Sequence, residues 1–499
     1  MAAPFCSCLS PRTLPLTPPG PSAPPSPAAT AQDGLPPPER LRALLVIILG
    51  IFLAVLDGTI VNLALPDITR ALHSTAAQSI WVINAYQIAT LALLLPLATL
   101  GDIVGYRRVY LVGMAVFTLG SLACASADSL TTLALARAVQ GMGAAGVMSV
   151  NAAMVRLIYP RALLGRGIAT NSMVVAIASV TGPSIAAAIL SNASWPWLFA
   201  LNVPLGLLCL ALGRRALPNN PARAPRDEVP RFSLVDVVLN ALMFGLIFMG
   251  VDGLGVRPEA VPGAPPPTSI AWSLAVLAAG VGVGVVYVRR QLRERLPLFP
   301  LDLLRIPVFG LSMGTSIGAF CAQMLAYISL PFLLLEGFGR SHLEAGLLLT
   351  AWPLGIVVMA PMVGRLIGRF SGGALGGAGL GLLSFGLVAL ALLPDHPGNL
   401  RIVWPLALCG MGFGLFQSPN NHTILTSAPA HRSGGASGML GTARLTGQTL
   451  GAVLLAMLFS TVGTQPSQAP TIALWVAAGF AATAGVFSTL RIRQPLTDR

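Results

Sequence analysis

The sequence predicts an all-α integral membrane protein in which fourteen transmembrane helices form two six-helix halves with two extra helices between them. Three observations carry that prediction. Of 499 residues, 55% are hydrophobic and only 9% charged, with a mean hydropathy of +0.77, so the chain has too few polar side chains to cover a soluble globule of its size. Stretches long and apolar enough to cross a bilayer core recur fourteen times. Sequence patterns from the first half return in the second after a nearly constant interval.

In chain order the apolar stretches run over residues 42–65, 81–100, 107–126, 129–150, 168–190, 197–216, 235–253, 270–288, 308–334, 343–367, 372–394, 401–424, 435–462 and 470–490. Their orientation follows from the basic residues, which stay on the cytoplasmic side when they lie close to a membrane end. All 30 basic residues are arginines. With the N-terminus inside, 18 fall on inner loops and 6 on the tails, against 4 on outer loops, and Arg137 and Arg444 remain inside helices. An odd number of helices would break this alternation. The net charge of +13 thus sits in short clusters between apolar runs, a pattern of membrane topology rather than the footprint of a nucleic-acid partner.

Residues 1–40 are a different material. The first 38 hold twelve prolines and no apolar run long enough for a signal-peptide core, which predicts a disordered cytoplasmic tail or a misassigned start. Cys6 and Cys8 have no histidine nearby to complete a metal site, and Cys124, Cys209, Cys321 and Cys409 sit singly in separate helices, where a thiol acts as a small apolar filler.

The repeat organises the remainder. "QGMGAAGVMSVN" at 140–151 matches "CGMGFGLFQSPN" at 409–420, an offset of 269; "ATLGDIVG" at 98–105 aligns with "GRLIGRFS" at 364–371, an offset of 266. The offset spans eight helices although the repeating unit has six. Two halves, 41–216 and 308–490, are therefore expected to flank a linker, 217–307, that carries two additional helices, with a short cytoplasmic tail at 491–499. In transporters built from such repeats the substrate site lies at the midplane between the halves.

Polar residues inside these helices are expensive and so informative. Asp57 is the only charge between Ala43 and Leu65. Lipid burial favours a neutral carboxyl and a nearby guanidinium favours the carboxylate, and a group held between those two influences suits proton exchange. A helix ending before Pro66 puts Asp57 in the outer half of the membrane, about nine residues from the outer end, and Asn62 is turned to a different face. Arg137, Gln140, Gly141, Ala144, Ala145 and Met148 share one helical face, so this guanidinium points into protein. Arg444 shares a face with Gly447 and Gly451, where a polar group on a cavity wall and a brace between helices are equally good readings. Asn84, Tyr86, Gln87, Gln323, Gln417 and Asn420 are further candidates for a substrate path, and Gln140 is another. Between helices 2 and 3, Asp102 is placed to cap the next helix or to sit at the positive end of its dipole. Gly105 allows a tight turn there, and Arg107 and Arg108 hold the loop inside. On helix 5, Ala178, Gly182 and Ala186 recur every fourth residue beside Pro183, a stripe that admits a close neighbour while the proline favours a bend.

Six segments in this order resemble the major facilitator superfamily, in particular its 14-helix drug:proton antiporter branch: "LDGTIVNLALPDI" (56–68), "GDIVGYRR" (101–108), "RAVQGMGAAG" (137–146), "TGPSIAAAI" (181–189), "SWPWLFALNVPLG" (194–206) and "FQSPNN" (416–421). The resemblance covers about residues 40–490. It implies that Asp57 and Arg137 take part in proton coupling, that Asp102, Gly105, Arg107 and Arg108 belong to a cytoplasmic latch between the halves, and that Gly182 and Pro183 mark an antiporter. Ala98, Ile103 and Tyr106 depart from the usual latch pattern, the second copy has Gly368 in place of the acid, and Ala186 and Ala187 replace two glycines of the antiporter motif.

Enzyme chemistry has no foothold. The chain contains no lysine, hence no glycine loop followed by lysine to cradle a nucleotide, and no paired histidines and carboxylates at metal spacing. No cofactor is expected and the proton gradient is the expected energy source. The expected function is proton-coupled export of small amphipathic or cationic compounds by a monomer in a bacterial inner membrane, with both termini cytoplasmic. Its partners are the substrate, protons and lipid, and any periplasmic adaptor is unknown. A proton-linked carrier of one metabolite and a non-transporting sensor on the same fold are the alternatives.

Overall fold

The computed structural model describes residues 34–160, 163–218, 233–254, 269–293, 300–367, 369–428, 433–462 and 468–491. The proline-rich tail through residue 33 with Cys6 and Cys8, Gly368 and the tail from residue 492 lie outside the described residues. Among the described residues, fourteen helices are long and apolar enough to cross a membrane. The first six are α1 (Pro37–Ala71), α2 (Ala76–Val104), α3 (Tyr106–Ala125), α4 (Leu130–Ile158), α5 (Leu164–Leu190) and α6 (Pro196–Ala216). The inserted pair is α7 (Leu234–Gly253) and α8 (Ile270–Gln291). The second half comprises α9 (Pro307–Gly337), α10 (His342–Leu366), α11 (Gly372–Ala391), α12 (Asn399–Ser427), α13 (Ser433–Thr461) and α14 (Gln468–Leu490).

Local chemistry starts and stops these helices. Thr75 with Gln78, Ser129 with Thr132 and Ser341 with Glu344 form reciprocal capping boxes at the starts of α2, α4 and α10, each satisfying backbone donors that a helix leaves free. All three lie on the arginine-poor face. Between α2 and α3 the chain turns at Gly105 with φ 111° and ψ 131°, a conformation that a residue with a Cβ adopts only with strain.

The internal repeat reappears as packing. Gly113 of α3 and Gly143 of α4 meet so closely that a Cβ on Gly113 would stand 2.9 Å from the Gly143 carbonyl oxygen. Gly379 and Gly412, at offsets of 266 and 269, cross in the same way in the second half, with 2.5 Å for the corresponding distance. Likewise Gly141 packs against the Tyr86 carbonyl and Gly410 against that of Trp352. In membranes such small-residue crossings replace the hydrophobic drive with close backbone packing.

The inserted hairpin is held by its own ion pair, Arg290 Nε to Asp236 Oδ1 at 2.5 Å. It docks on the first half through Asn240, whose amide donates to the Ala92 carbonyl at 2.6 Å. Phe248 of α7 packs with Leu91 and Leu94 of α2 and Leu445 and Val453 of α13, so the hairpin lies over a seam between the halves.

Candidate functional site

α1 continues through Pro66 to Ala71, which moves Asp57 from its expected place. It lies fourteen residues from the far end of this 35-residue helix, close to its centre rather than nine residues from an end. Proline inside a helix removes one backbone bond, the one to the carbonyl four residues earlier, and surrounding protein tolerates that loss in a membrane helix.

Asp57 is completely buried and both oxygens of its carboxylate are hydrogen-bonded. Oδ2 accepts from Arg137 Nη1 at 2.5 Å, and Oδ1 accepts from Gln140 Nε2 and from Asn202 Nδ2, each at 2.8 Å. Arg137, 1% exposed, donates through Nε to the Val82 carbonyl at 3.0 Å and through Nη1 to Gln140 Oε1 at 2.6 Å. Its guanidinium carbon lies 4.2 Å from the centre of the Tyr86 ring. Gln140 also donates to Ser121 Oγ at 2.8 Å. One ion pair thereby ties together α1, α2, α3, α4 and α6. Breaking such a pair from one side leaves an uncompensated buried charge, at a cost of about 3–5 kcal/mol.

Gln140, read as a candidate for the cavity wall, instead serves the carboxylate. Asn202, Ser121 and the Val82 carbonyl were not singled out by the sequence. The signal for Asn202 was present as a lone amide in the apolar run "FALNVPLG". At an offset of 269, Leu406 and Cys409 stand where the first half has Arg137 and Gln140, so the ion pair has no counterpart in the second half.

Beside this cluster, on another face of α1, a cavity opens between the halves. Thr59 and Asn62 of α1, Pro183 of α5, Tyr327 of α9 and Trp352 of α10 line it, around roughly 440 Å³ of atom-free space that includes open solvent. Asn62 Oδ1 and Trp352 Nε1 are buried without hydrogen-bond partners among the described residues, and the Tyr327 and Trp352 rings meet edge to face at 5.1 Å. Gly182 is buried against Thr59, whose Oγ1 lies 2.2 Å from where a Cβ would be. The Gly182–Pro183 element therefore brings α5 directly onto the α1 stretch that carries Asp57.

The other sequence candidates spread out. Gln87 joins the halves, donating to Met324 Sδ at 3.8 Å and accepting from Thr449 Oγ1 at 3.4 Å. Gln323 is a hydrogen-bond partner of Tyr327. Arg444 lies with its Cζ 5.8 Å from the Phe320 ring centre and its Nε buried without a partner among the described residues. Asn84 is fully buried with neither side-chain polar atom bonded to a described residue, and Gln417 is partly buried on α12. Asn420 sits elsewhere: it donates to Ser316 Oγ at 2.7 Å and accepts from Arg491 Nη1 at 2.7 Å. Arg491, just past α14, also donates to Ser312 Oγ at 2.8 Å, and burial pushes its guanidinium down to about 10. In the last turn of α2, Asp102 makes no cap at the start of α3. It accepts instead from the Tyr106 hydroxyl at 2.6 Å, while Arg107 donates to the Arg214 carbonyl at the end of α6 and Arg108 is exposed. These bonds lie within the first half.

Toward the arginine-poor face the halves are closed against each other. His342 Nε2 of α10 lies 2.6 Å from Asp67 Oδ2 of α1, an arrangement the sequence did not reveal, and the Ser184 and Thr350 hydroxyls are 2.9 Å apart. Gly346 fits so tightly that a Cβ would fall 2.4 Å from that of Ala187 and 2.8 Å from the Pro183 carbonyl oxygen. Gly346→Val is therefore expected to wedge this face open. Cysteine labelling at Ser184 with a membrane-impermeant maleimide, in an otherwise cysteine-free background, should rise several-fold in the variant; unchanged labelling would contradict the closure.

A family model described as Major Facilitator Superfamily matches residues 47–452. The uncharacterized transporter YebQ of Escherichia coli (strain K12) is 54% identical over 93% of this chain and 98% of its own length. The riboflavin transporter RibZ of Clostridioides difficile (strain 630) is 30% identical over 85% of this chain and 89% of its own. The multidrug resistance protein Stp of Mycobacterium tuberculosis (strain ATCC 25618 / H37Rv) is 31% identical over 85% and 77%. Among solved structures, the POT family transporter PepTSo matches 91% of this chain and 98% of its own with a TM-score of 0.66 at 13% identity, a likeness of fold alone. With two halves of six helices around a shared cavity and a family match across most of its length, the chain belongs to the Major Facilitator Superfamily of membrane transporters.

Proposed function

We propose that the protein is a proton-coupled antiporter that exports small amphipathic compounds across a bacterial inner membrane, with both termini cytoplasmic, no cofactor and a monomer as the working unit. The observation that carries this reading is the hydrogen-bonded, fully buried carboxylate of Asp57 on the same helix that presents Thr59 and Asn62 to the cavity. As a carboxylate, Asp57 binds α1 to α4 and α6 through three donors. Protonation removes the charge that attracts Arg137, so α1 is released and its cavity face can reposition with the rest of the half. A cargo that favours one position of α1 and a proton that favours the other then compete, and each is moved at the expense of the other. Relatives named as multidrug resistance proteins support export of small compounds.

The test is efflux of a dye panel that includes neutral and charged members, from cells lacking their main pumps. A protonophore should stop efflux, and Asp57→Asn should lower it roughly tenfold or more because the proton carrier is gone. Efflux that survives both treatments contradicts antiport. A proton-linked carrier of a single metabolite is the second reading, favoured by the relative named as a riboflavin transporter; it predicts saturable transport of one compound and indifference to the panel.

A further inference from the structure

Arg444 is the charge that the proton mechanism leaves over. It lies eleven residues into α13, well inside the membrane span, and arginine keeps its proton there. Among the described residues no ion pair reaches it. Its Nε has no hydrogen-bond partner, and the titratable groups that act on it are the neutral phenols of Tyr86 and Tyr327. The face of Phe320 attracts the cation without neutralising it.

Among the described residues no acid is available to do so. Asp57 already accepts from Arg137, Gln140 and Asn202. Every other acid described in the two halves lies in a loop or within about a turn of a helix end. The centre of the molecule therefore holds a neutral pair plus one unmatched positive charge, in surroundings where an unmatched charge is costly. Phe320, over whose ring Arg444 lies, and Tyr327, a wall of the cavity, stand seven residues apart on α9 and so share the face that leads from that charge to the cavity. Part of the Arg444 side chain remains accessible.

We infer that Arg444 anchors an acidic group of the cargo, so that this transporter takes amphipathic compounds bearing a carboxylate in preference to cations. The inference rests on the exporter reading above and narrows its cargo. A carboxylate meets a guanidinium through two parallel charge-assisted hydrogen bonds, while an aromatic body packs on Tyr327 and Trp352. A cationic compound meets a like charge and finds no free acid, which is discrimination by repulsion. Of the small amphipathic or cationic compounds expected from the sequence, this selects amphipathic acids.

Binding of 2-naphthoate, methyl 2-naphthoate and 2-naphthylmethylammonium to the full chain in lipid nanodiscs, measured by calorimetry, tests this. Naphthoate should bind roughly tenfold or more tightly than either of the others. Arg444→Gln should bring naphthoate down to the level of the ester, and Arg444→Lys should keep a smaller preference. No naphthoate binding, equal binding of the ammonium or ester by the wild type, or a preference that survives Arg444→Gln would overturn the assignment; the wild-type series decides even if a variant fails to fold. A pH gradient that drives the ester in liposomes while naphthoate has no advantage sinks the cargo assignment alone. Naphthoate preference with no gradient-driven flux of any probe sinks the antiport reading instead.

Discussion

Arg137→Leu is expected to abolish proton-driven efflux and to destabilise the protein by about 3–5 kcal/mol, the cost of leaving a buried carboxylate without its cation. Asp57 in that variant keeps two amide donors but no positive charge, in a site with no access to water. Protonating Asp57 is the one escape, and it fixes the carrier in its proton-bound form. The double variant Asp57→Asn/Arg137→Leu should recover most of the lost stability, because both charges are gone, and yet show no coupled transport. Thermal unfolding of the two variants in the same detergent makes the comparison. Equal stability of the single variant and the wild type would mean that the buried charge does not depend on its partner.

The second large effect is separation of binding from coupling in Asp57→Asn. The amide oxygen can still accept from Arg137, and Thr59, Asn62, Tyr327 and Trp352 are untouched, so the cavity should keep its cargo. What disappears is the exchangeable proton. Counterflow of a labelled compound, which needs no gradient, should persist within about twofold in reconstituted vesicles, whereas accumulation driven by a pH gradient should fall by roughly tenfold or more. Loss of both activities together would instead point to a structural role for the ion pair.

Much of this architecture was legible because membrane proteins expose their economics in composition. Fourteen spans and the arginine bias required only counting, since each span must be apolar throughout. Asp57 and Arg137 stood out because a charge within an apolar run is retained only where something uses it, and the structure shows them bonded to each other. Asn202 and Gln140 were harder. A single amide in an apolar helix signals an inward face but not its partner, so Gln140 was assigned to a cavity when it belongs to the carboxylate. Asp67 and His342 carried no signal at all, because polar residues at helix ends are ordinary. The place of Asp57 along α1 was misread for a different reason. Pro66 looked like the end of the helix, and only the surrounding protein allows the helix to run through it.

The most direct measurement is proton movement itself. Purified protein is reconstituted into liposomes that enclose a pH-sensitive dye, and a compound shown to be transported is added outside with no pH difference imposed. The wild type should shift the internal pH as cargo exchanges for protons, the signal should collapse with a protonophore, and Asp57→Asn should give no shift while still exchanging labelled cargo. A pH change of wild-type size from Asp57→Asn would contradict the account, because the proton would then be travelling on some other group.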